Sequence, residues 1–335
     1  MTLPMRNLGP FTVSAIGLGC MNLNHAYGEP VSSADGAKLL NRALDLGCTL
    51  IDTAALYGLG ENERLIASAI GRRRAEYTLS TKCVLDMVDG KRVLDGSPEQ
   101  IARTVEGSLK RLETDFVDMV YLHRLDERVP VEESVGALVR LKEQGKLGAI
   151  GLSEMSAATI RRAHAVHPIA AVQSEYSPAV RNPEIAVLET CRELGIGFVA
   201  FSPVARGLLA STVRSDDYVP GDIRASMPRF VGLQLGANVA LADRFDALAG
   251  EVGCTPAQLA LGWLLARAPH IVPIPGTRRI AHLEENLAAA NLIIAPEIMA
   301  KIDAIFPPGA LHGARYAAAM QAQIDTETFA DEELA

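Results

Sequence analysis

Residues 40–54, LNRALDLGCTLIDTA, join an amphipathic helix to a short apolar strand that ends in a carboxylate. Gly47 separates the two, where a left-handed cap conformation is easiest for a residue without Cβ. The same order recurs in residues 138–153, LVRLKEQGKLGAIGLS, and in residues 188–202, LETCRELGIGFVAFS. Three copies of this helix, glycine and strand order indicate an alternating α/β chain.

Five further strands are predicted from apolar runs that end in polar residues, at residues 15–20, 77–82, 118–123, 170–176 and 270–277. Helical patterns alternate with the strands, at residues 33–46, 61–71, 98–112, 131–143, 156–166, 183–194, 256–268 and 279–290. Eight βα units predict a closed (β/α)8 TIM barrel, with residues 1–335 forming a single domain.

A doubly wound sheet is the rival architecture, and it usually carries G-x-G-x-x-G after its first strand. The first strand here ends IGLGCMN, which supplies Gly17 and Gly19 but places Asn22 where the third glycine belongs. The barrel is therefore favoured.

Two segments interrupt the regular alternation. Residues 206–236 form a long connection that we expect to be a cofactor or substrate loop, and residues 307–335 form a C-terminal tail. Both are expected to lie over the C-terminal face of the barrel, where loops build the active site. A further helix, near residues 237–252, is expected to pack outside the cylinder.

Composition limits the class of partner. The chain of 335 residues has a net charge of −8, so nucleic acid and membrane are not expected as partners. Its five cysteines are scattered without a C-x-x-C pair, which predicts neither disulfides nor a metal site. No signal peptide or membrane span is evident, so a cytoplasmic protein, monomeric or a small homo-oligomer, is expected.

Ionisable side chains stand at the ends of three consecutive predicted strands. Strand two ends at Asp52 and runs into Tyr57, strand three ends at Lys82, and strand four ends at His123. Each alone has an ordinary structural explanation, such as a turn cap or a core histidine. Together, on one rim of a barrel, they predict a catalytic site.

These four groups form a coherent proton-transfer system. A phenol with an ordinary pKa near ~10 is a weak acid unless a cation stabilises its phenolate, and Lys82 supplies that charge to Tyr57. Asp52 would hold Lys82 protonated, while a neutral His123 would hydrogen-bond the substrate oxygen. Tyr57 is thus the predicted proton donor.

The sequence resembles the aldo-keto reductase family, whose Asp, Tyr, Lys and His tetrad matches LIDTA, ALYG, STK and YLH. The likeness runs from VSAIGLGCMN to LEENLAAAN, and GLSE, VQSEY, FSPVARGLL and IPGTRR resemble one bacterial subgroup. This resemblance implies NADPH-dependent reduction of an aldehyde or ketone, with a small-molecule carbonyl compound as substrate. The reaction could also run in reverse.

The resemblance also implies a nicotinamide site in the second half of the chain. Ser153 and Gln173 would hold the carboxamide, and Phe201 would stack on the nicotinamide ring. Many family members have Asn where this chain has Glu154, and an ionised Glu only accepts hydrogen bonds, which leaves its cofactor role open. Further contacts are implied at Met21, Ser202, Pro203, Val204, Leu208, Pro275 and Gly276.

Two segments are predicted to bind the cofactor phosphates. Residues 202–209 offer backbone N–H groups around Gly207 and the cation of Arg206. Thr277 and Arg278 precede a predicted helix start, where anions are favoured.

Family members often carry another basic residue a few positions further on, and here the place is taken by His282. Glu285 and Asn286 match the family's adenine-binding pair. Arginine binds phosphate bidentately at every pH, so histidine at 282 weakens a strict preference. NADPH is the expected cofactor, with NADH as the alternative.

Two other functions stay open at this stage. Lys82 could form a Schiff base in a barrel aldolase, although such an enzyme needs neither Phe201 nor an Arg278 pocket. The chain could also be a cofactor-binding regulatory subunit with little turnover, which an intact tetrad does not exclude.

Overall fold

The computed structural model describes residues 3–335. Its strands are β1 (Met5–Leu8), β2 (Phe11–Ser14), β3 (Leu18–Gly19), β4 (Leu50–Asp52), β5 (Thr78–Cys83), β6 (Leu85–Val88), β7 (Lys91–Leu94), β8 (Val117–Leu122), β9 (Leu147–Ser153), β10 (Ala171–Glu175), β11 (Gly197–Phe201) and β12 (Ile271–Pro273). Its helices are α1 (Met21–Asn24), α2 (Ser33–Asp45), α3 (Glu61–Ile70), α4 (Pro98–Arg111), α5 (Val131–Glu143), α6 (Ala157–Val166), α7 (Val187–Leu194), α8 (Gly232–Val252), α9 (Pro256–Arg267), α10 (Ile280–Ala288), α11 (Pro296–Ile305) and α12 (Ala318–Gln321).

Eight parallel strands form the predicted (β/α)8 barrel, in the order β3, β4, β5, β8, β9, β10, β11, β12. The two end strands meet where the Gly17 N–H donates to the Pro273 carbonyl at 3.0 Å. A Cβ on Gly19 would lie 2.8 Å from the Ile274 carbonyl oxygen, so the close approach at this seam requires glycine. The single-domain TIM-barrel prediction is confirmed.

Glycine caps set the helix-to-strand joints as predicted. Gly47, Gly145 and Gly195 adopt φ of 84°, 75° and 67°, in the left-handed region. Each ends a helix and turns the chain into the next barrel strand. The repeated sequence pattern therefore reflects a repeated backbone geometry.

A hairpin of β1 and β2, which the sequence analysis did not predict, closes the N-terminal end of the barrel. Leu8 and Val13 are fully buried there and join the interior layer formed by side chains such as Met119, Tyr121 and Val272. The guanidinium of the hairpin's Arg6 donates to three backbone carbonyls at the end of α9 and the start of β12. The hairpin fills the interior at the N-terminal end of the barrel. The polar residues at the C-terminal ends of the strands therefore face the cavity at the opposite end.

Several predicted bounds differ from the structure. The first and last barrel strands are only two and three residues long, because the chain leaves the sheet at the seam. The segment predicted as one helix at 183–194 splits into a 3-10 turn, Asn182–Glu184, and α7. The additional helix, α8, begins at Gly232 and packs against α9 and α11. Within residues 3–335, every helix is too short or too polar to cross a membrane.

Candidate active site

The four residues of the predicted tetrad come together because neighbouring parallel strands end at one rim. Asp52 is the last residue of β4, Lys82 lies near the end of β5, and His123 directly follows β8. Tyr57 begins a 3-10 turn, Tyr57–Gly60, after β4. All four side chains are buried, with at most 7% of any residue exposed.

The Lys82 ammonium has three N–H groups and three acceptors. It donates to Asp52 Oδ2 at 2.5 Å, to the Thr53 carbonyl at 2.8 Å and to the Tyr57 hydroxyl oxygen at 3.3 Å. Because Tyr57 accepts this hydrogen bond, its own proton is directed elsewhere. Asp52 is fixed in turn by Ser80, which donates to Oδ1 at 2.7 Å, and by Gln173, which donates to the same oxygen at 3.0 Å.

Burial and charge set the protonation states of this pair. Burial raises the pKa of the Tyr57 hydroxyl above its ordinary value of 10.0, and the nearby Lys82 charge pulls this pKa back only in part. Burial alone would lower the pKa of Lys82, but the Asp52 carboxylate and the Tyr57 hydroxyl together outweigh it, and the pKa is raised. At neutral pH the site therefore holds an ammonium and a protonated phenol.

His123 faces the Tyr57 ring edge-on, with 6.0 Å between ring centroids. Burial lowers the pKa of His123 well below 6.5, and the positive charges of Arg124, Lys82 and Arg92 lower it further. The imidazole is neutral at physiological pH. His25, at the end of α1, stacks on the Tyr57 ring with 5.8 Å between ring centroids.

A cavity of about 460 Å³ opens from Tyr57 and His123 along the C-terminal ends of the barrel strands. Most of the predicted cofactor residues line it: Met21, Ser153, Gln173, Phe201, Ser202, Pro203, Val204, Arg206, Gly207, Gly276, Thr277, Arg278, His282, Glu285 and Asn286. Glu154, Leu208 and Pro275 do not. Lys82 lies behind Tyr57 and is not part of the cavity wall.

Glu154, whose cofactor role was left open, instead holds the C-terminal tail. Its carboxylate accepts from Arg315 Nη2 at 2.7 Å, from the Thr326 hydroxyl at 2.9 Å and from the Glu175 N–H at 2.7 Å. Glu154 has φ of 54°, a left-handed conformation that carries strain for a residue with a Cβ. Arg315 forms ion pairs with both buried carboxylates, Glu154 and Glu175, and Arg206 supplies the second positive charge.

The loop after β11 also has an unusual backbone. Ala205, Arg206 and Gly207 have successive φ of 47°, 54° and 98°. Such strain persists in loops that bind ligands. The Arg206 guanidinium, however, was predicted to meet phosphate and is instead paired with Glu175 at 3.1 Å and Tyr316 at 2.7 Å.

The second predicted phosphate segment lies where expected, at the start of α10. Thr277 Oγ1 accepts from the Arg279 N–H at 3.1 Å, while Arg278 and Arg279 are exposed. Glu285 accepts a hydrogen bond from Thr255 at 2.6 Å. His282 and Glu285 project from the same helix into the cavity.

Sequence reasoning missed several side chains of the cavity wall, among them His25, Arg92, Arg124, Tyr316 and Met320. Arg92 lies on a hairpin of β6 and β7 whose turn residues, Asp89 and Gly90, both have positive φ. An Asp-Gly pair between alternating residues is a hairpin signal, so this element could have been found. Tyr316 and Met320 lie in the tail, which was expected over this face of the barrel, but no local pattern indicates which tail residues reach the cavity.

The fold and site define a TIM-barrel protein with a buried Asp, Tyr, Lys and His cluster at the C-terminal ends of its strands. The family model for aldo/keto reductases matches residues 15–306. The aldo-keto reductase yakc [NADP(+)] of Schizosaccharomyces pombe is 40% identical over 324 residues, which cover 94% of this chain and 95% of the yeast protein. The chain belongs to the aldo/keto reductase family and is an NAD(P)H-dependent oxidoreductase.

Solved structures share the fold of this chain. Glycerol dehydrogenase AKR11B4 from Gluconobacter oxydans superposes with a TM-score of 0.81 over 97% of this chain and 98% of its own, at 24% identity, a likeness of fold alone. Aldo-keto reductase AKR11C1 from Bacillus halodurans, in its holo form, gives a TM-score of 0.73 over 91% of this chain and 96% of its own, at 26% identity.

Proposed function

We propose that this protein reduces an aldehyde or ketone to the alcohol with NADPH as the electron donor and Tyr57 as the proton donor. The observation that carries the proposal is the hydrogen bond from Lys82 to the Tyr57 oxygen, which leaves the phenolic proton free for the cavity. The NADP(+) in the name of the fission yeast relative supports the choice of cofactor.

Each tetrad side chain has a role that follows from its contacts. Tyr57 gives its proton to the carbonyl oxygen of the substrate, and the Lys82 ammonium stabilises the phenolate that remains. Asp52 holds Lys82 in position and keeps it charged. Neutral His123 lines the cavity beside Tyr57, where it can donate a hydrogen bond to the same substrate oxygen.

The residues of the cavity fit a dinucleotide. Bound there, NADPH would supply the hydride that reaches the carbonyl carbon. Gln173 and Ser153 would hold the carboxamide, Phe201 would support the ring, and the backbone of residues 202–207 would meet the pyrophosphate. A Cβ on Gly276 would lie 2.3 Å from Asn22 Oδ1 and 2.9 Å from the Gly19 carbonyl, so the wall there admits only glycine.

NADPH is favoured over NADH because Arg278 and Arg279 are exposed at the start of α10, where a 2′-phosphate would also meet free backbone N–H groups. His282 adds a weaker, pH-dependent contact. The loop at residues 206–236 and the tail at residues 307–335 supply Arg206, Arg224 and Tyr316 to the cavity wall, and we assign both segments to ligand enclosure.

An aldolase reaction is disfavoured by the environment of Lys82. Its side chain is fully buried, lies behind Tyr57 and is paired with Asp52, so the amine is protonated and out of reach of a substrate. A Schiff-base lysine must instead present a neutral nitrogen to the substrate. A regulatory subunit with little turnover would retain the same cavity, and turnover separates the two functions.

The test compares Tyr57→Phe with Tyr77→Phe, a buried tyrosine outside the cavity, in the oxidation of NADPH by a panel of aldehydes and ketones. Loss of the proton donor should lower kcat by about 10²- to 10⁴-fold. Fluorescence titration should show NADPH binding unchanged in both variants. A Tyr57→Phe enzyme with the parent's kcat would refute the proposal, and a parent that binds NADPH without turnover would favour the regulatory function.

A further inference from the structure

Two arginines at the catalytic end of the cavity have no acidic partner. Arg92, on β7, and Arg124, next to His123, both line the cavity. Of the other arginines of the wall, Arg206 pairs with Glu175 and Arg224 pairs with Asp222. Arg278 and Arg279 lie apart from these, at the exposed start of α10. Over residues 3–335, no carboxylate lies within 4.0 Å of the Arg92 or Arg124 guanidinium. Arg124 acts at longer range on the buried Glu154, whose pKa it helps to lower and which Arg315 already pairs.

Arg92 has no side-chain hydrogen bond to any described residue, and its Nε is buried without a partner. Burial, together with the charge of Arg124, lowers its pKa to about 10, so the group stays cationic at neutral pH. A buried, unpaired N–H group costs free energy that only a ligand or water can recover. The hairpin of β6 and β7 therefore presents an unsatisfied cation to the cavity.

Arg124 is held on one side only. Its Nη1 donates to the His123 carbonyl at 2.5 Å and to the Ser153 hydroxyl at 3.2 Å. The remaining guanidinium nitrogens make no hydrogen bond to the part of the chain that the structure describes. The two histidines of this region do not share the positive charge, since burial lowers the pKa of His25 and of His123.

We infer that Arg92 and Arg124 bind an anionic oxygen group, a carboxylate or a phosphate, carried by the carbonyl substrate. This inference rests on the proposed function, since it places the anion beside the Tyr57 hydroxyl. A guanidinium binds such groups through paired N–H donors, and burial strengthens the interaction. The enzyme would then discriminate between charged and neutral carbonyl compounds of equal size.

Matched substrates test this directly. We compare 4-carboxybenzaldehyde with its neutral methyl ester, and glyceraldehyde 3-phosphate with glyceraldehyde, in the parent, Arg92→Gln and Lys91→Gln. Lys91 is the exposed neighbour on the same strand and outside the cavity wall, so it controls for a change in overall charge. Arg92→Gln should lower kcat/KM for one anionic substrate by about tenfold or more, mainly through KM, since hydrogen bonds to charged groups have this magnitude.

The kcat/KM of Arg92→Gln for the neutral substrates, and that of Lys91→Gln for every substrate, should stay within about twofold of the parent value. The substrate pair that shows the loss tells whether the site takes a carboxylate or a phosphate. Equal losses for charged and neutral substrates would overturn the inference. The inference would also be overturned if Arg92→Gln bound NADPH more weakly but kept the parent's preference between charged and neutral substrates. That result would assign Arg92 to the cofactor.

Calorimetry separates this inference from the proposed function. 4-(Hydroxymethyl)benzoate, its methyl ester and glycerol 3-phosphate are titrated into the NADPH-saturated protein, where coenzyme and ligand are both in the reduced state and no hydride transfer can occur. One anion should bind the parent about tenfold more tightly than it binds Arg92→Gln, while the ester binds both equally. That result would support the anion site even in a protein that reduced no aldehyde, and equal binding of every anion to both proteins would refute it.

Discussion

Replacing Arg315 by Met should detach the C-terminal tail from the barrel. The guanidinium of Arg315 lies 2.7 Å from Glu154 Oε1 and 2.9 Å from Glu175 Oε2, and all three residues are at most 3% exposed. Methionine nearly preserves the apolar volume but removes the charge. Glu154 would then have no ion-pair partner, and Glu175 would keep only its contact with Arg206.

Breaking a buried ion pair from one side costs about 3–5 kcal/mol, because it leaves an uncompensated charge. Unfolding entropies of ~2.1 cal/mol/K per residue give about 0.7 kcal/mol per kelvin for a chain of this size. The expected fall in Tm is therefore about 4–7 °C. Local undocking of the tail would absorb part of this loss, and the tail would then become sensitive to protease at 37 °C.

Differential scanning calorimetry at pH 7 and limited proteolysis measure the two effects. Arg192→Met is the matched control, because its ion pair with Glu189 is exposed on both sides and should change Tm by less than about 1 °C. Adding Glu154→Gln to Arg315→Met should restore part of the loss, since it removes one uncompensated charge. The reasoning is refuted if Arg315→Met matches Arg192→Met in both Tm and proteolysis.

Three further outcomes are expected. Burial opposes it, but the cations beside Glu175 lower the pKa of this carboxyl from 4.5 to about 2. Up to ~3 kcal/mol of stability that is present above pH 4.5 should therefore be lost as the pH falls toward 2, which chemical denaturation measures. Gly151→Ala places a Cβ 2.3 Å from the buried Tyr121 ring and should cost about 1–3 kcal/mol, whereas Gly250→Ala, with open space around a helical position, should be neutral or stabilising in the same assay. His282→Arg should lower KM for NADPH by about tenfold and leave KM for NADH unchanged, and equal changes for both cofactors would contradict the phosphate role.

The barrel could be predicted because its determinants are local. The helix at 131–143 and the glycine caps at Gly47, Gly145 and Gly195 match the structure, since periodicity and a missing Cβ act within a few residues. The β1–β2 hairpin was missed because its strands of four residues are too short for a clear alternation. The ends of β3 and β12 depend on closure of the sheet, which no short window of sequence reports.

The meeting of Asp52, Tyr57, Lys82 and His123 could equally be predicted, since parallel strands bring their carboxyl ends to one rim. The environment of Glu154 could not, because its partner Arg315 lies 161 positions further along the chain. Arg206 is a second side chain whose environment could not be predicted, because its guanidinium donates to Glu175 and Tyr316 and is not free for a phosphate. Side chains whose partners are distant in sequence need the tertiary structure.

The plug formed by Leu8 and Val13 has a kinetic consequence. Because one end of the barrel is closed, both proposed reactants must enter through the same opening. The reactant that binds deeper in the cavity must then bind first and dissociate last. A compulsory order of binding follows. In product-inhibition measurements, the oxidised coenzyme should then compete with the reduced coenzyme for the free protein. The alcohol product should not compete with the reduced coenzyme.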